Sequence, residues 1–598
     1  MSTAATDPAA TNSATDPAAP TTPLRIGNAS GFYGDRFTAV REMLEGGALD
    51  VLTGDYLAEL TMLILGRDRM KNPDLGYAKT FLRQLEDSLG PALDRGVKIV
   101  ANAGGLNPAG LAARLRALAA TLGLDAAIAH VEGDDLLPRA ADLGYTDALT
   151  ANAYLGGFGI AACLRAGADV VVTGRVTDAS LVVGPAVAHF GWQPGDHDRL
   201  AGAVVAGHVI ECGAQATGGN YAFFTEIADL RRPGFPIAEL HADGSSVITK
   251  HPGTGGAVSV GTVTAQLLYE IGGHRYANPD ATARLDSVTL AQDGPDRVRI
   301  SGVRGEAPPP TLKVCLNRLG GFRNEVEFVL TGLSIEAKAD LVRAQLADGL
   351  ATTPASVDWT LVRTDRPDAD TEETASALLR CVVRDQNPDT IGRAFSGAAV
   401  ELALSGYPGF TMTAPPGAAA PYGVYTAAYI DAAEVAHTAV LPDGTRVAIP
   451  PPERTQTRVL EPAPDAGLPE PLPAPLPDAE PARTAPLGLV YGARSGDKGG
   501  DANLGVWARP SADDAAWRWL AHELTVERLK TLLPETAGLA VTRHVFPNLR
   551  AVNFLIEGLL GAGVSEQARF DPQAKGLGEW LRARHAALPA CLLKGSEQ

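Results

Sequence analysis

The chain has 598 residues and a formal net charge of −18. This length exceeds what one compact core supports, so two or three domains are expected. The negative charge argues against non-specific binding to nucleic acid, which needs a basic surface, and against docking to anionic membranes. It does not argue against small anionic ligands, because a few arginines make a local positive site even in an acidic protein.

The beginning of the chain and its cysteines bear on its location. Residues 1–23 are mostly Ala, Thr, Pro, Asp and Ser, without the basic and apolar segments of a signal peptide, which predicts a disordered tail. No apolar run is long enough to cross a bilayer, so no membrane association is expected. The five cysteines are scattered without a C-x-x-C pair, which is typical of a reducing compartment. We therefore expect a cytoplasmic protein.

Five short apolar runs follow the tail, and each ends in glycine and polar side chains. Helical patterns separate most of them, which predicts an α/β domain with a mainly parallel sheet. The predicted strands are Leu24–Ile26, Asp50–Leu52, Val97–Ala101, Ala126–His130 and Asp169–Val172. Because ligands bind outside the carboxyl ends of such strands, the polar residues that follow them are the first candidates for a site.

Two of these strand ends carry candidate catalytic residues. Asp55 and Glu59 lie four residues apart, so on a helix they would share a face and act as acid and base or hold a metal. A helix cap is the alternative for both. Asp178 is a third candidate, and with Arg175 it forms either an anion-binding pair or a structural ion pair.

Other strand ends predict substrate contacts. Asn102, Gly104 and Gly105 would offer donors to a thioester oxygen, although a tight turn explains them equally well. Asn28 and Thr173 are placed by their strand ends in the same predicted group of substrate-binding residues.

The acidic residues after the fourth strand are candidates for a metal site. Glu132 and Asp134 offer oxygen ligands that suit Mg²⁺ or Ca²⁺, and Asp135 fits a solvated loop better. No His or Cys pattern indicates zinc. The cofactor is otherwise open, with a divalent cation such as Mg²⁺ as the one suggested by these carboxylates.

A run of small and polar residues extends from Glu211 to Tyr221. Such a run suggests either backbone close to a ligand, with Asn220 among the substrate contacts, or a tight loop that needs positive φ. Cys212 in this run could be a nucleophile, but a buried small thiol is the commoner case.

The remainder of the chain divides at a proline-rich stretch. Residues 276–460 alternate strand-like and helix-like patterns, which predicts a second α+β lobe or an insertion, all within an α/β unit that spans 24–460. Residues 461–486 predict an extended linker. Residues 487–598 predict a small ferredoxin-like α+β domain, with helices packed against a small sheet.

The hairpin between the first two strands of that last domain is unusually rich in ionisable groups. It contains three glycines, which is more than a plain turn needs. A functional loop is therefore favoured over a bland hairpin. Its predicted substrate-binding residues are Asp497, Lys498, Asp501 and Asn503.

Several of these stretches resemble a known family. The resemblance rests on G-N-A-S-G-F-Y-G-D-R, T-G-D-Y-L-A-E-L-T-M, N-A-G-G-L-N-P and T-G-R-V-T-D-A-S-L. These motifs are similar to those of the acyclic terpene utilisation AtuA family, and S-G-D-K-G-G-D-A-N-L-G-V resembles the small ferredoxin-fold domain that often follows it. The resemblance covers the chain from Leu24 to Pro589, apart from the linker. It implies a role in the breakdown of acyclic terpenes and branched acids through coenzyme A thioesters, with lyase or hydratase chemistry, and it brings no residue-level mechanism.

Three hypotheses of function follow. The first is an enzyme that acts as a lyase or hydratase on a branched or terpenoid acyl-CoA, or on a related carboxylic acid, with Asp55 and Asp178 as acid and base and Arg175 on an anionic group. The second is a hydrolase of a thioester, amide or ester. The third is a non-catalytic accessory subunit of an acyl-CoA processing complex. We expect a small-molecule substrate, with coenzyme A as part of it, and a homo-oligomer.

Overall fold

A computed structural model describes residues 22–457, 472–477, 481–509 and 514–593, without the side chains of Glu59 and Leu60. Most of the predicted N-terminal tail and a large part of the predicted linker lie outside these ranges. Within them, no helix is both long and apolar enough to span a lipid bilayer.

The first third of the chain alternates strands and helices, as the sequence predicts. Its elements are β1 (Leu24–Asn28), α1 (Ala39–Gly46), β2 (Val51–Gly54), α2 (Glu59–Lys71), α3 (Lys79–Arg95), β3 (Lys98–Ala101), α4 (Pro108–Leu122), β4 (Ile128–Glu132), β5 (Ala148–Ala153), α5 (Phe158–Arg165), β6 (Val170–Thr173), α6 (Ser180–Phe190) and α7 (His197–Ile210). Local chemistry sets some of these limits. Helix α4 begins at Pro108, is capped by Asn107, and ends at Gly123 in a left-handed conformation.

A further group of short elements extends this layer. They are β7 (Pro236–Leu240), β8 (Ser246–Lys250), α8 (Val260–Leu267), β9 (Arg275–Ala277), β10 (Thr282–Arg284), β11 (Thr289–Gln292), β12 (Val298–Ser301) and β13 (Arg304–Glu306). Strands β9, β10 and β13 form a separate three-stranded sheet.

The central layer is one mixed sheet of eleven strands. Its order is β11-β12-β8-β7-β1-β2-β3-β6-β4-β19-β20, where β19 (Thr438–Val440) and β20 (Arg446–Ala448) come from much later in the chain. The five central strands β1, β2, β3, β6 and β4 are parallel, as predicted. The strands on both flanks pair antiparallel and extend the sheet beyond its parallel centre. The carboxyl ends of the parallel strands therefore meet at one edge.

A second sheet is built around one long strand. The elements here are β14 (Thr311–Thr331), α9 (Ile335–Gly349), β15 (Ser356–Val362), β16 (Ser376–Asp385), α10 (Pro388–Ile391), α11 (Arg393–Ser405), β17 (Thr411–Met412), β18 (Ala420–Asp431), β19 (Thr438–Val440) and β20 (Arg446–Ala448). Strand β14 pairs with β16, β17, β18 and also with β5 of the first part. The lobe expected at 276–460 is thus interleaved with the first layer, because β5 enters it while β11, β12, β19 and β20 pair within the main sheet.

The last part of the chain is a smaller α+β unit. Its elements are β21 (Ala482–Pro486), β22 (Tyr491–Lys498), β23 (Asp501–Ala508), α12 (Asp514–Glu523), α13 (Val526–Leu532), β24 (Val541–Phe546), β25 (Ala551–Ile556), α14 (Leu577–Ala583) and β26 (His585–Pro589). Strands β22, β23, β25 and β24 form an antiparallel sheet in that order, and β21 pairs with β26. Leu504 and Phe554 on this sheet pack with Leu520 of α12 in one core.

The described pieces of the predicted linker lie against this small domain. Leu472 and Leu476 pack on its core, and the Arg518 guanidinium donates to the carbonyls of Ala474 and Pro475. Residues 482–486 are strand β21. The described pieces of the predicted extended linker are therefore packed, because the apolar leucines between the prolines cover part of a core.

The small domain docks on the segment that contains α8 to β11. Trp507 belongs to the core of the first part and stacks on Tyr221 at 6.3 Å between ring centroids. Asn548 donates from its side-chain amide to the carbonyls of Leu285 and Val288, both at 2.9 Å. These contacts bring the β22–β23 hairpin to the edge of the main sheet.

Gly104 provides a test of this packing. An added Cβ would lie 2.4 Å from the Thr173 carbonyl oxygen and 2.7 Å from Cα of Pro108, both of which are backbone atoms. We expect Gly104→Ala to lower the free energy of unfolding by about 1–3 kcal/mol and the thermal midpoint with it. Gly397→Ala in α11 is the control, since nothing lies within 4 Å and alanine favours a helix. Equal midpoints for both variants in calorimetry would contradict the packing.

Candidate active site

The edge formed by the parallel strands carries the candidate site. Strand β2 ends at Gly54 and is followed by Asp55, and β6 ends at Thr173 and is followed by Arg175. The Asp55 amide donates to the Ser30 carbonyl at 2.9 Å, which ties the loop after β2 to the loop after β1. Residues from separate strand ends therefore meet here, as their positions predicted.

Asp55 is buried and held by two donors. Its Oδ1 accepts from the amide of Leu57 at 2.9 Å and from Nδ2 of Asn102 at 2.6 Å. Asn102 in turn accepts from the amide of Tyr56 at 2.7 Å through its Oδ1. Both ends of the Asn102 amide are thus committed within the protein. Asn102 positions Asp55, which differs from the predicted contact with a thioester oxygen.

Arg175 is almost fully buried, with 3% of its surface exposed. Its Nη1 donates to the Leu57 carbonyl at 2.7 Å and to Asp178 Oδ1 at 3.0 Å. The guanidinium lies 4.2 Å from the ring centre of Tyr154. Nε of Arg175 has no hydrogen-bond partner among the described residues. The predicted Arg175–Asp178 pair is therefore present, and Nε of Arg175 is still able to donate a hydrogen bond.

Glu211, which the sequence analysis mentioned only as the start of a loop, lies in the same cluster. It follows α7, where Asn28 donates from Nδ2 to the carbonyls of Ile210 at 2.6 Å and Glu211 at 2.9 Å. Its Oε1 lies 3.3 Å from Nδ1 of His208, and Oε2 has no partner among the described residues. Asn28 thus fixes the backbone of an acidic residue.

Two carboxyl groups of this cluster, those of Asp55 and Glu211, have raised pKa values. Burial, followed by the negative charge of Asp178, raises the pKa of Asp55 well above its ordinary value, although Arg175 opposes the shift. Burial, Asp178 and Glu270 likewise raise the pKa of Glu211 well above the ordinary range. Both groups consequently hold a proton more tightly than an ordinary carboxyl group does. Three carboxyl groups around one arginine form a proton-donating and proton-accepting cluster.

The neighbouring His208 and Cys212 are held in their neutral forms. Burial lowers the pKa of His208 to about 4. Burial and the negative charges of Glu211, Glu270 and Asp55 raise the pKa of the Cys212 thiol well above its usual value. A protonated thiol is a poor nucleophile, so the raised pKa argues against the nucleophile interpretation of Cys212, which is half-buried.

The small domain completes this site from the other side. Lys498 donates from Nζ to the Glu270 carbonyl at 2.6 Å, and its ammonium lies 5.9 Å from the ring centre of Tyr276. Its positive charge opposes the raised pKa of Glu211. Asn503 is fully buried and accepts from the Glu270 amide at 2.7 Å. Lys498 thus reaches the cluster, whereas Asn503 holds the backbone of Glu270, which has a φ of 56°.

The other hairpin residues are nearby but make different contacts. Asp501 accepts from the amide of Gly558 at 2.8 Å, and Asp497 is half-buried on the same hairpin. Asp501 therefore stabilises a turn of its own domain.

Several further residues that were predicted to contact the substrate stabilise or permit the local backbone conformation. Thr173 is buried and its hydroxyl donates to the Gly174 carbonyl at 2.8 Å. Gly105 has a φ of 52° and closes a turn by donating to the Asn102 carbonyl. Asn220 is exposed with a φ of 58°, so its position fits the tight-loop alternative rather than the substrate contact. Glu59 begins α2, and its side chain lies outside the described part of the structure.

The predicted metal ligands have protein partners instead. Glu132 pairs with Arg446 and lies 3.2 Å from His130 Nε2. Asp134 Oδ2 accepts from Asn152 Nδ2 and from the backbone amide of Arg175, both at 2.8 Å. No group of three or more His, Cys, Asp or Glu side chains that could hold a metal occurs in the described ranges. Glu132 and Asp134 do not fit a shared Mg²⁺ site, and Asp134 positions Arg175.

Sequence reasoning missed Glu211, Glu270 and Tyr276 as members of the site. Burial, and then the negative charges of Glu211, Asp178 and Glu270, raise the pKa of Tyr276 well above its ordinary value. A signal was present only for Glu211, which ends an apolar helix beside a run of small residues. Glu270 and Tyr276 lie against the small domain, where Lys498 contacts both, and no local sequence pattern reports such contacts.

Comparison with protein families matches both parts of this architecture. The family described as acyclic terpene utilisation family protein AtuA matches residues 24–441, and the AtuA ferredoxin-like domain matches residues 485–586. A search of curated proteins found no match. The matched ranges include both Asp178 and Lys498, so the two matched parts meet at the candidate site.

Asp134 gives a pH-dependent test of the site's support. Burial raises its pKa from 3.8 to about 7, so the folded chain holds this proton more tightly than the unfolded chain does. Its contribution to stability is full below about pH 4 and is lost as the pH rises through about 7, by about 4 kcal/mol at most. Relative to Asp134→Asn, the wild type should therefore lose thermal stability between these values. Parallel pH profiles of the two midpoints would show that Asp134 is not held protonated.

Proposed function

Because the chain belongs to the acyclic terpene utilisation AtuA family, we propose that it is an enzyme with lyase or hydratase chemistry on a branched or terpenoid acyl-CoA or a related carboxylic acid. The observation that carries the proposal is the cluster of Asp55, Asp178 and Glu211 around the buried Arg175. Such a cluster holds an acid and a base side by side, which is what both reaction types need.

Asp178 has the properties of the base. Its side chain is 28% exposed, so a substrate reaches it, and Arg175 at 3.0 Å stabilises its negative charge. In a lyase reaction Asp178 takes the proton of a 3-hydroxyl group, the C2–C3 bond breaks, and a carbonyl and an enolate form. In a dehydration Asp178 takes a proton from C2 instead.

Glu211 and Asp55 have the properties of acids. In the lyase reaction a protonated carboxyl group gives its proton to C2 of the enolate. In the dehydration it gives the proton to the leaving hydroxyl group, which departs as water. Glu211 is the better placed of the two, because its Oε2 has no protein partner among the described residues, whereas Asp55 Oδ1 already accepts two hydrogen bonds.

Arg175 would stabilise the developing negative charge. A buried guanidinium with a donor that no described residue uses can hydrogen-bond an enolate oxygen in a site from which water is largely excluded. The Tyr154 ring beneath it restricts its movement, so the donor would not have to reorganise during the reaction.

Asp178→Asn is the first test of this assignment. We expect turnover of branched 3-hydroxyacyl-CoA esters to fall at least about 100-fold, because asparagine cannot take up the proton. Asp169→Asn is the matched control, since Asp169 lies just before the other end of β6 and pairs with Lys98 at 2.8 Å, far from the cluster. Chromatography with mass detection would separate the products: shortened acyl-CoA for a lyase, 2-enoyl-CoA for a dehydration, and free coenzyme A for a hydrolase.

The outcome also separates catalysis from an accessory role. An Asp178→Asn protein with the wild-type thermal midpoint and wild-type turnover would refute the proposed base. Absence of turnover in the wild type with all three product classes, despite binding of an acyl-CoA, would favour the accessory subunit.

Cys212→Ser tests the hydrolase alternative. The thiol is kept protonated, so we expect the variant to retain turnover within about threefold of the wild type. Loss of turnover by 100-fold or more, together with release of free coenzyme A by the wild type, would instead indicate a thiol nucleophile. Alkylation of the native protein with iodoacetamide at pH 7 provides an independent measurement of thiolate character.

A further inference from the structure

Basic side chains of the small domain gather beside the acid cluster. Arg494 and Lys575 both approach Tyr269, whose ring centre lies 4.3 Å from the Arg494 guanidinium carbon and 5.3 Å from Lys575 Nζ. Lys498 lies against Tyr276 nearby.

Arg494 is the buried member of the group, with 6% of its surface exposed. Its Nη2 donates to Gln215 Oε1, and its Nε has no partner among the described residues. No carboxylate of the described residues lies within ion-pair distance of it. Arg582 in the same domain contrasts with it, because Glu579 neutralises Arg582 at 2.7 Å. A buried cation with neutral partners only is unfavourable unless an anion compensates it.

Lys575 is the exposed member. Its Nζ donates to the Tyr269 hydroxyl at 2.7 Å, and no described carboxylate pairs with it. The charge of Lys575 acts on the Cys212 thiol, as does the charge of Asp55. The basic group therefore adjoins the acid cluster, with Arg494 in the interior and Lys575 at the solvent side. The acidic groups facing it are Glu270 and Glu211.

We propose that Arg494 and Lys575, with Tyr269 between them, form an anion-binding subsite that holds a negatively charged oxygen group of the substrate, a carboxylate or a phosphate. This rests on the proposed function and deepens it, since it assigns substrate holding to the small domain and proton transfer to the large one. Arg494 Nε and Lys575 Nζ each donate a charge-assisted hydrogen bond, and the Tyr269 ring keeps the two cations in place.

Anion binding to the full-length protein tests the subsite. Isothermal titration with inorganic pyrophosphate and with isovalerate, at constant ionic strength in sodium chloride, covers the two chemical sources. We expect at least one of them to bind, and Lys575→Met to weaken that binding about 10- to 100-fold through the loss of a charge-assisted hydrogen bond. Lys530→Met is the matched control, because Lys530 donates to the Leu539 carbonyl at 2.7 Å elsewhere in the same domain.

The result separates the alternatives. Binding of pyrophosphate alone assigns the subsite to the phosphates of coenzyme A, and binding of isovalerate alone assigns it to a carboxylate. Arg494→Gln should weaken binding of the same anion, and its thermal midpoint is checked against that of the wild type. Equal affinity in the wild type and Lys575→Met, or no binding of either anion, would overturn the subsite.

Failure of the subsite is distinguishable from failure of the catalytic proposal. Anion binding needs no turnover, so it is measurable in Asp178→Asn as well. Loss of binding in Lys575→Met with full turnover in Asp178→Asn would keep the subsite and reject the base, and the reverse pattern would keep the base and reject the subsite.

Discussion

A buried positive charge organises the strand ends of this protein. Burying the guanidinium of Arg175 costs free energy that hydrogen bonds and opposite charge must offset, and each compensating group comes from a different loop. The Leu57 carbonyl follows β2, Tyr154 follows β5, and Asp178 follows β6. The backbone amide of the same residue is bound by Asp134 after β4. One residue, through its side chain and its backbone amide, thus ties four loops together.

Asp55 and Glu211 near this charge ionise less readily than ordinary carboxyl groups do. Burial first, and then the negative charge of the half-buried Asp178, make ionisation of Asp55 and Glu211 unfavourable. These shifts therefore arise from electrostatics that involve no ligand. A cluster of this kind is typical of sites that move protons, because its members differ in proton affinity while they lie close together.

Local patterns predicted the framework well and the interior of the site less well. Signals such as the valines of β6, and the proline and glycine at the ends of α4, act within a few residues of the chain. The parallel centre of the sheet and the positions of Asp55, Arg175 and Asp178 therefore follow from sequence alone. Glu270 enters the site only because a hairpin from the small domain binds its backbone, and no local pattern reports such a contact. The crossing of β5 into the second sheet is equally non-local.

The pairing of β21 with β26 has a consequence for how the molecule is assembled. It brings the first and last strands of the small domain side by side, so that domain is closed upon itself, and its attachment to the large part depends on side-chain contacts such as those of Asn503 and Asn548. The small domain accordingly meets the large part across a non-covalent interface of the kind that joins separate subunits.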